Sequence, residues 1–290
     1  MNAPTARNAP TARNAPTARN VPALLLGLRE EGFSGTVRVS GHPGGTIHLR
    51  DGLVGAIETP GAPTVTSALL TSGRIGDEAW LAACATEPDA DRLGGRLVAA
   101  GLIGAAELEV VCAAAVFDGA FAMALSPPGG WELSDREPAL VAEPGVEPRQ
   151  LTEETSRRMA LLARLWGAPG ELTRVRPAAV AGSGPRRSDG LARRHQDVLD
   201  HVNGRRTPRD IAFALGRGLY AVMLDLIRLQ TLDLVRWDAK APSDSRPSTA
   251  ARAPRTDPPT AAAPPKVVPL PKRTPGSGFP GHDAGQRGGS

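Results

Sequence analysis

The sequence predicts an α+β protein: a small antiparallel sheet covered by helices, then a small helical domain with a wing, between disordered tails. Three observations carry that expectation. From Phe33 to Thr59, three short apolar or alternating stretches are separated by glycine turns, as in a meander. From Ser67 to Leu125 the apolar residues recur at helical spacing instead. Beyond residue 190, three short helical runs are broken by Asn203-Gly204 and Gly216-Arg217-Gly218, and one last apolar stretch follows them.

The elements follow in order. Val21, Leu24, Leu25 and Leu28 fall at i, i+3, i+4 and i+7, one face of a helix that Gly32 ends. Phe33–Ser40 reads as a strand with Val37 and Val39 inward and Thr36 and Arg38 outward. Gly41–Gly45 turns the chain into a second strand, Gly45–Arg50, and Asp51-Gly52 makes a hairpin to a third, Leu53–Thr59. Ser67–Gly73, Asp77–Thr86, Leu93–Ala100 and Ala105–Leu125 read as covering helices. In the longest, Val110, Ala114, Phe117, Phe121 and Ala124 form one stripe and Leu108, Val111, Cys112 and Ala115 another, so the helix is expected to be largely buried despite Asp118. Trp131–Leu133 suits a closing strand. Leu151–Trp166 is a helix with Thr152 as N-cap. In the last part the expected helices are Ala192–Val202, a second opened by Thr207-Pro208, and Leu219–Gln230, with Leu232–Trp237 as a strand or wing.

These elements divide the chain into five parts. Residues 1–20 carry the hexapeptide Asn-Ala-Pro-Thr-Ala-Arg three times, with a proline every six residues and nothing apolar larger than Ala, so they are expected to be disordered. Residues 21–140 form the sheet-and-helix domain, 141–190 a connecting helix and linker, and 191–238 the second domain. Residues 239–290 are a Pro/Ala/Arg-rich tail, also expected to be extended.

The net charge of +4 misleads until it is divided by position. Residues 21–140 hold 7 basic against 15 acidic groups, whereas 141–240 hold 17 against 12. The first domain is therefore acidic and repels a polyphosphate, and basicity belongs to the tails and the second domain. Arg outnumbers Lys 31 to 3, a skew that fits a GC-rich coding sequence better than phosphate recognition.

Chemistry-bearing motifs are absent. No GxxxxGKS/T loop, GxGxxG after a strand, GxSxG elbow or HExxH occurs, and no catalytic residue, cofactor site or metal site is expected. His42 and His48 read as surface residues of a hairpin. His195 and His201 are six apart on one helix and do not share a face. Cys84 and Cys112 are read as two small buried hydrophobes with no disulfide framework, which fits a reducing cytoplasm. No signal peptide or membrane span is read from the sequence.

Two stretches resemble known domains. The run FSGTVRVSG, GTIHLRDGLVGAIET, SALLTSG, LGGRLVAAGLIGAAELEVVCAAAVFDGAFAM and GWEL resembles a PATAN-type domain, found at the start of PatA-like bacterial response regulators. It covers about residues 21–138, and its glycines and leucines describe a fold, not a chemistry. Unlike PatA, no phosphoacceptor receiver pattern follows. The 191–237 stretch resembles a winged helix-turn-helix, similar to the C-terminal part of actinobacterial PATAN-type proteins. The resemblance implies a non-enzymatic regulatory or scaffold protein and supplies no catalytic residues.

The functional expectation is an adaptor acting through protein contacts, self-association among them, with no membrane role. The alternative is a DNA-binding transcriptional regulator, and a third reading is a small-ligand sensor using the first domain's sheet. The candidate contact residues, for an acidic partner or for phosphate, are Arg205, Arg206, Arg209, Arg217, Tyr220 and Arg228. On Leu219–Gln230 the expected core stripe is Leu219, Val222, Met223, Leu226 and Leu229. That leaves an outer face of Tyr220, Ala221, Leu224, Asp225 and Arg228, with one cation against one carboxylate: a poor reader of a DNA groove.

Overall fold

The computed structural model describes residues 20–180 and 190–237, all within one compact unit. The expectations for the two tails and for most of the 182–190 linker lie outside the described residues. The chain is mixed α+β, with a four-stranded antiparallel sheet and helices.

Helix α1 spans Val21–Glu30, and Asn20 caps it by accepting the Ala23 N–H at 2.9 Å. Strands β1 (Gly35–Gly41), β2 (Gly45–Arg50) and β3 (Leu53–Glu58) form the expected meander. Asp51 and Gly52 both adopt positive φ, as a two-residue hairpin that follows strand twist requires. A side chain at Gly52 would also lie 2.6 Å from the Arg29 backbone. Helices α2 (Val65–Thr71), α3 (Asp77–Thr86), α4 (Ala90–Ala99) and α5 (Ala105–Ala124) follow. Strand β4 (Pro128–Ser134) then pairs antiparallel with β1, giving the order β3-β2-β1-β4.

One face of the sheet (Val37, Val39, Ile47, Leu49, Ile57 and Leu133) packs against α1 and α5. The opposite face is covered too, which overturns the outward reading of Thr36. The 135–146 segment returns across it: Glu137 N–H bonds Thr36 Oγ1, Ala142 N–H bonds Gly55 O, and Val54 and Val146 exchange both backbone bonds. Thr36 is 0% exposed beneath this strap, and His48, its register neighbour on β2, is buried rather than on the surface. A period-two pattern shows which residues share a face but not that a later loop will cover the second face.

Helix α5 also departs from its expected stripe. Val110 is 67% exposed and Ala114 and Ala124 are exposed, whereas Leu108, Val111, Cys112, Val116, Phe121 and Ala122 are buried. Its first half closes a core with α2–α4, and its second half meets the sheet. Burial pushes the Cys112 thiol up to about 11, so it packs as a hydrophobe and supplies no thiolate. After β4, α6 begins a turn earlier than expected, at Pro148, and runs to Leu165. Proline at the first helical position presets its start. Thr152 is no cap: its hydroxyl donates back to Pro148 O at 2.8 Å.

Asp91, at the start of α4, ties three elements together. Its carboxylate accepts from Arg50 of β2, from Arg136, and from Ala139 N–H of the strap. Burial pushes its pKa up, but the Ala139 N–H and the two guanidiniums outweigh that and hold it below the usual carboxylate range. A carboxylate with a lowered native pKa contributes stability above its unfolded pKa and loses it as pH falls through the native value. The stability gap between wild type and Asp91→Asn should therefore be widest near neutrality and shrink below about pH 4. Urea unfolding at a series of pH values reads this directly, and a gap independent of pH would remove Asp91 from that role.

Candidate functional site

The chain continues through a short helix α7 (Pro169–Leu172), strand β5 (Ala178–Ala179), and helices α8 (Arg193–His201), α9 (Pro208–Leu215) and α10 (Leu219–Thr231). Strand β6 (Val235–Arg236) ends it and pairs antiparallel with β5, so the expected last strand finds its partner ahead of the linker. Thr207 and Asp210 form a complete capping box at α9: Asp210 N–H bonds Thr207 Oγ1, and Thr207 N–H bonds the Asp210 carboxylate at 2.9 Å. Thr207→Ala is expected to cost about 1 kcal/mol in urea unfolding. An unchanged midpoint would mean that the box is not holding the start of α9.

The expected stripe of α10 is buried as read: Leu219, Val222, Met223, Leu226 and Leu229 are each at most 2% exposed. Its outer face is not as read. Asp225 was expected to face solvent and is 7% exposed. Its carboxylate accepts from Arg217 Nη2 at 2.6 Å, and His195 Nε2 and Arg194 Nε approach it at 3.2 and 3.6 Å. Arg217 also donates to Arg194 O, which binds the turn before α10 to α8. Among the candidate contact residues, Arg217 is thus engaged inside the fold.

Tyr220 is engaged as well. Its ring meets Phe121 of α5 edge-on, 5.3 Å between centroids, and the Arg158 guanidinium of α6 stands 4.9 Å over it. The start of α10 is held by a carboxylate that lies in another part of the sequence. Asp118, buried in α5, accepts the Leu219 N–H at 2.6 Å and the Tyr220 N–H at 3.0 Å. Two of the unpaired donors at a helix start are thereby satisfied. Burial raises the Asp118 pKa against the pull of those two N–H groups and of Arg158. Gly218 leaves room for this contact, since a side chain there would meet the carboxylate at 3.1 Å. Glu154 in turn holds Arg158 at 2.9 Å.

The other candidates make no such side-chain ties among the described residues. Arg205 and Arg209 are exposed, Arg206 is half-buried, and all three lie on or beside the turn that opens α9. The Arg205 and Arg206 N–H groups donate to Asn203 Oδ1, which fixes the turn. Arg176, which sequence reasoning missed, joins them by donating to Arg205 O at 3.0 Å. Arg228 is exposed on α10, as are Ala221 and Thr231. The structure thus keeps Arg205, Arg206 and Arg209 together, adds Arg176, and engages the half-buried Arg217 and Tyr220 in contacts within the fold.

Among the described residues, no three His, Cys, Asp or Glu side chains are placed to hold a metal ion, and no helix is long and apolar enough to cross a membrane. The chain matches no family model, no curated protein and no solved structure.

Proposed function

We propose that the chain is a non-enzymatic regulatory adaptor of bacterial signalling that acts through protein contacts, pairing a PATAN-like first part with a winged-helix-like second part. One observation carries the reading. The helix that would have to enter a DNA groove, α10, is tied by its first N–H groups to Asp118 and buries most of its surface. A groove-reading helix presents polar side chains from its N-terminal turns to base edges. Here those turns offer Tyr220, under Arg158, and the small Ala221.

The exposed cationic surface is the Arg176, Arg205, Arg206 and Arg209 turn. Guanidiniums in that setting suit bidentate pairing with carboxylates, on another protein or on the acidic 21–140 stretch of a second copy. Affinity capture of the full chain with cross-linking should recover a partner, or a second copy, in a salt-sensitive manner. Arg206→Glu together with Arg209→Glu should abolish that capture, and capture indifferent to these changes would refute the assigned surface. The alternative, a DNA-binding transcriptional regulator, draws on the same arginines and differs in what it requires of α10.

A further inference from the structure

A cavity of about 530 Å³ opens on the helix side of the sheet. Its walls come from the start of α1 (Val21, Leu25), from β2 (Ile47), from the second half of α5 (Met123) and from α6 (Leu151, Met159). Protein interiors close gaps of this size with side chains, and spaces of a few hundred Å³ with apolar walls are characteristic of small-molecule sites. Among the described residues its lining contains no Asp, Glu, Lys or Arg, and His42 is its one titratable side chain.

One solvent-shielded hydroxyl in the wall has no hydrogen-bond partner among the described residues. Thr155 of α6 lines the cavity, and its hydroxyl is shut off from solvent with no hydrogen bond. A helical threonine ordinarily donates to the carbonyl four residues back, as Thr152 does on the same helix. Thr155 does not, and a buried hydroxyl without a partner is destabilising. Rotation about its first side-chain torsion exchanges hydroxyl and methyl positions and offers the hydroxyl to the cavity.

We propose that this cavity binds an uncharged, mainly hydrocarbon small molecule bearing one hydroxyl or carbonyl oxygen, which pairs with the Thr155 hydroxyl. The lining, free of Lys and Arg among the described residues, sets the class. A carboxylate or phosphate buried there would find no guanidinium or ammonium to pair with, and desolvating an unpaired charge is far costlier than desolvating a hydroxyl. The proposal is independent of the adaptor reading, because uptake is measured on the isolated full-length chain with no partner present.

Diphenylhexatriene, a fluorescent hydrocarbon, serves as the probe, with n-decanol and decanoate as competitors at pH 7. The full chain should enhance the probe's fluorescence saturably, and n-decanol should displace it at a concentration roughly tenfold or more below decanoate. Thr155→Val keeps the side chain's shape without its hydroxyl. It should weaken n-decanol roughly three- to tenfold and leave the hydrocarbon probe unchanged. Ala120→Phe inside the cavity and Ser156→Trp at its exposed rim should each reduce probe uptake, and the rim change keeps the test valid if the interior one fails to fold. No saturable uptake, as would follow if residues 1–19 or a second copy filled the space, overturns the proposal. So does equal competition by decanoate, or uptake that neither filling change affects.

Discussion

Phe121→Ala is expected to destabilise the protein by about 3–5 kcal/mol, the cost of emptying the place of a fully buried aromatic ring. The ring is 0% exposed and belongs to a core cluster that Ala62 and Ala122 share with residues of α8, α9 and α10. It also makes the edge contact with Tyr220. Because one side chain supports both the long helix and the C-terminal helices, the loss should be felt in both. Trp80 and Trp131 lie in the first part, and Trp166 and Trp237 lie near the end, their rings 6.3 Å apart. Urea unfolding followed by circular dichroism and by fluorescence of variants retaining one tryptophan pair should show a single transition, moved to lower urea on every probe. A shift confined to the Trp166–Trp237 pair would mean that the last helices unfold on their own.

Leu226→Ala should cost about 2–5 kcal/mol. The residue is 0% exposed at the centre of α10, where it packs with Met223 and Leu229 in the cluster that also holds Leu162 of α6 and Ile211 of α9. The spread in cost reflects how far those neighbours relax into the space. Denaturant unfolding measures it, and a silent substitution would mean that the faces of α10 are assigned wrongly.

Much of the architecture was legible because local chemistry dictates it. Asp51-Gly52 tolerates the two positive φ angles of its turn, and Thr207, Pro208 and Asp210 occupy the cap, first-turn and box positions of α9. The stripe on α10 was legible because the elements around it bury it and its period is intact. What escaped the sequence is what depends on distant partners. Thr36 and His48 look like the solvent side of a meander until the 135–146 strap is laid over them. Asp225 reads as a surface carboxylate until α8 brings His195 and Arg194 to it. Asp118 did leave a signal: it is the only charged residue between Glu109 and Glu132, and a lone carboxylate in an apolar helix needs a donor. Nothing in the sequence said that the donors would be the Leu219 and Tyr220 N–H groups. The cavity left no sequence signal, since its walls are ordinary residues drawn from many separate elements.

In the proposed adaptor, α10 belongs to the interior of the fold and does not read DNA. The most direct test is binding of the full chain to random and genome-selected duplexes at physiological salt. Duplex affinity comes largely from phosphate neutralisation, and the 21–140 stretch works against it with 15 acidic groups. Only weak, salt-sensitive retention without sequence preference is expected, with a Kd no tighter than about 10⁻⁶ M. Selection of a defined operator at nanomolar affinity, abolished by Arg206→Ala together with Arg209→Ala, would contradict it.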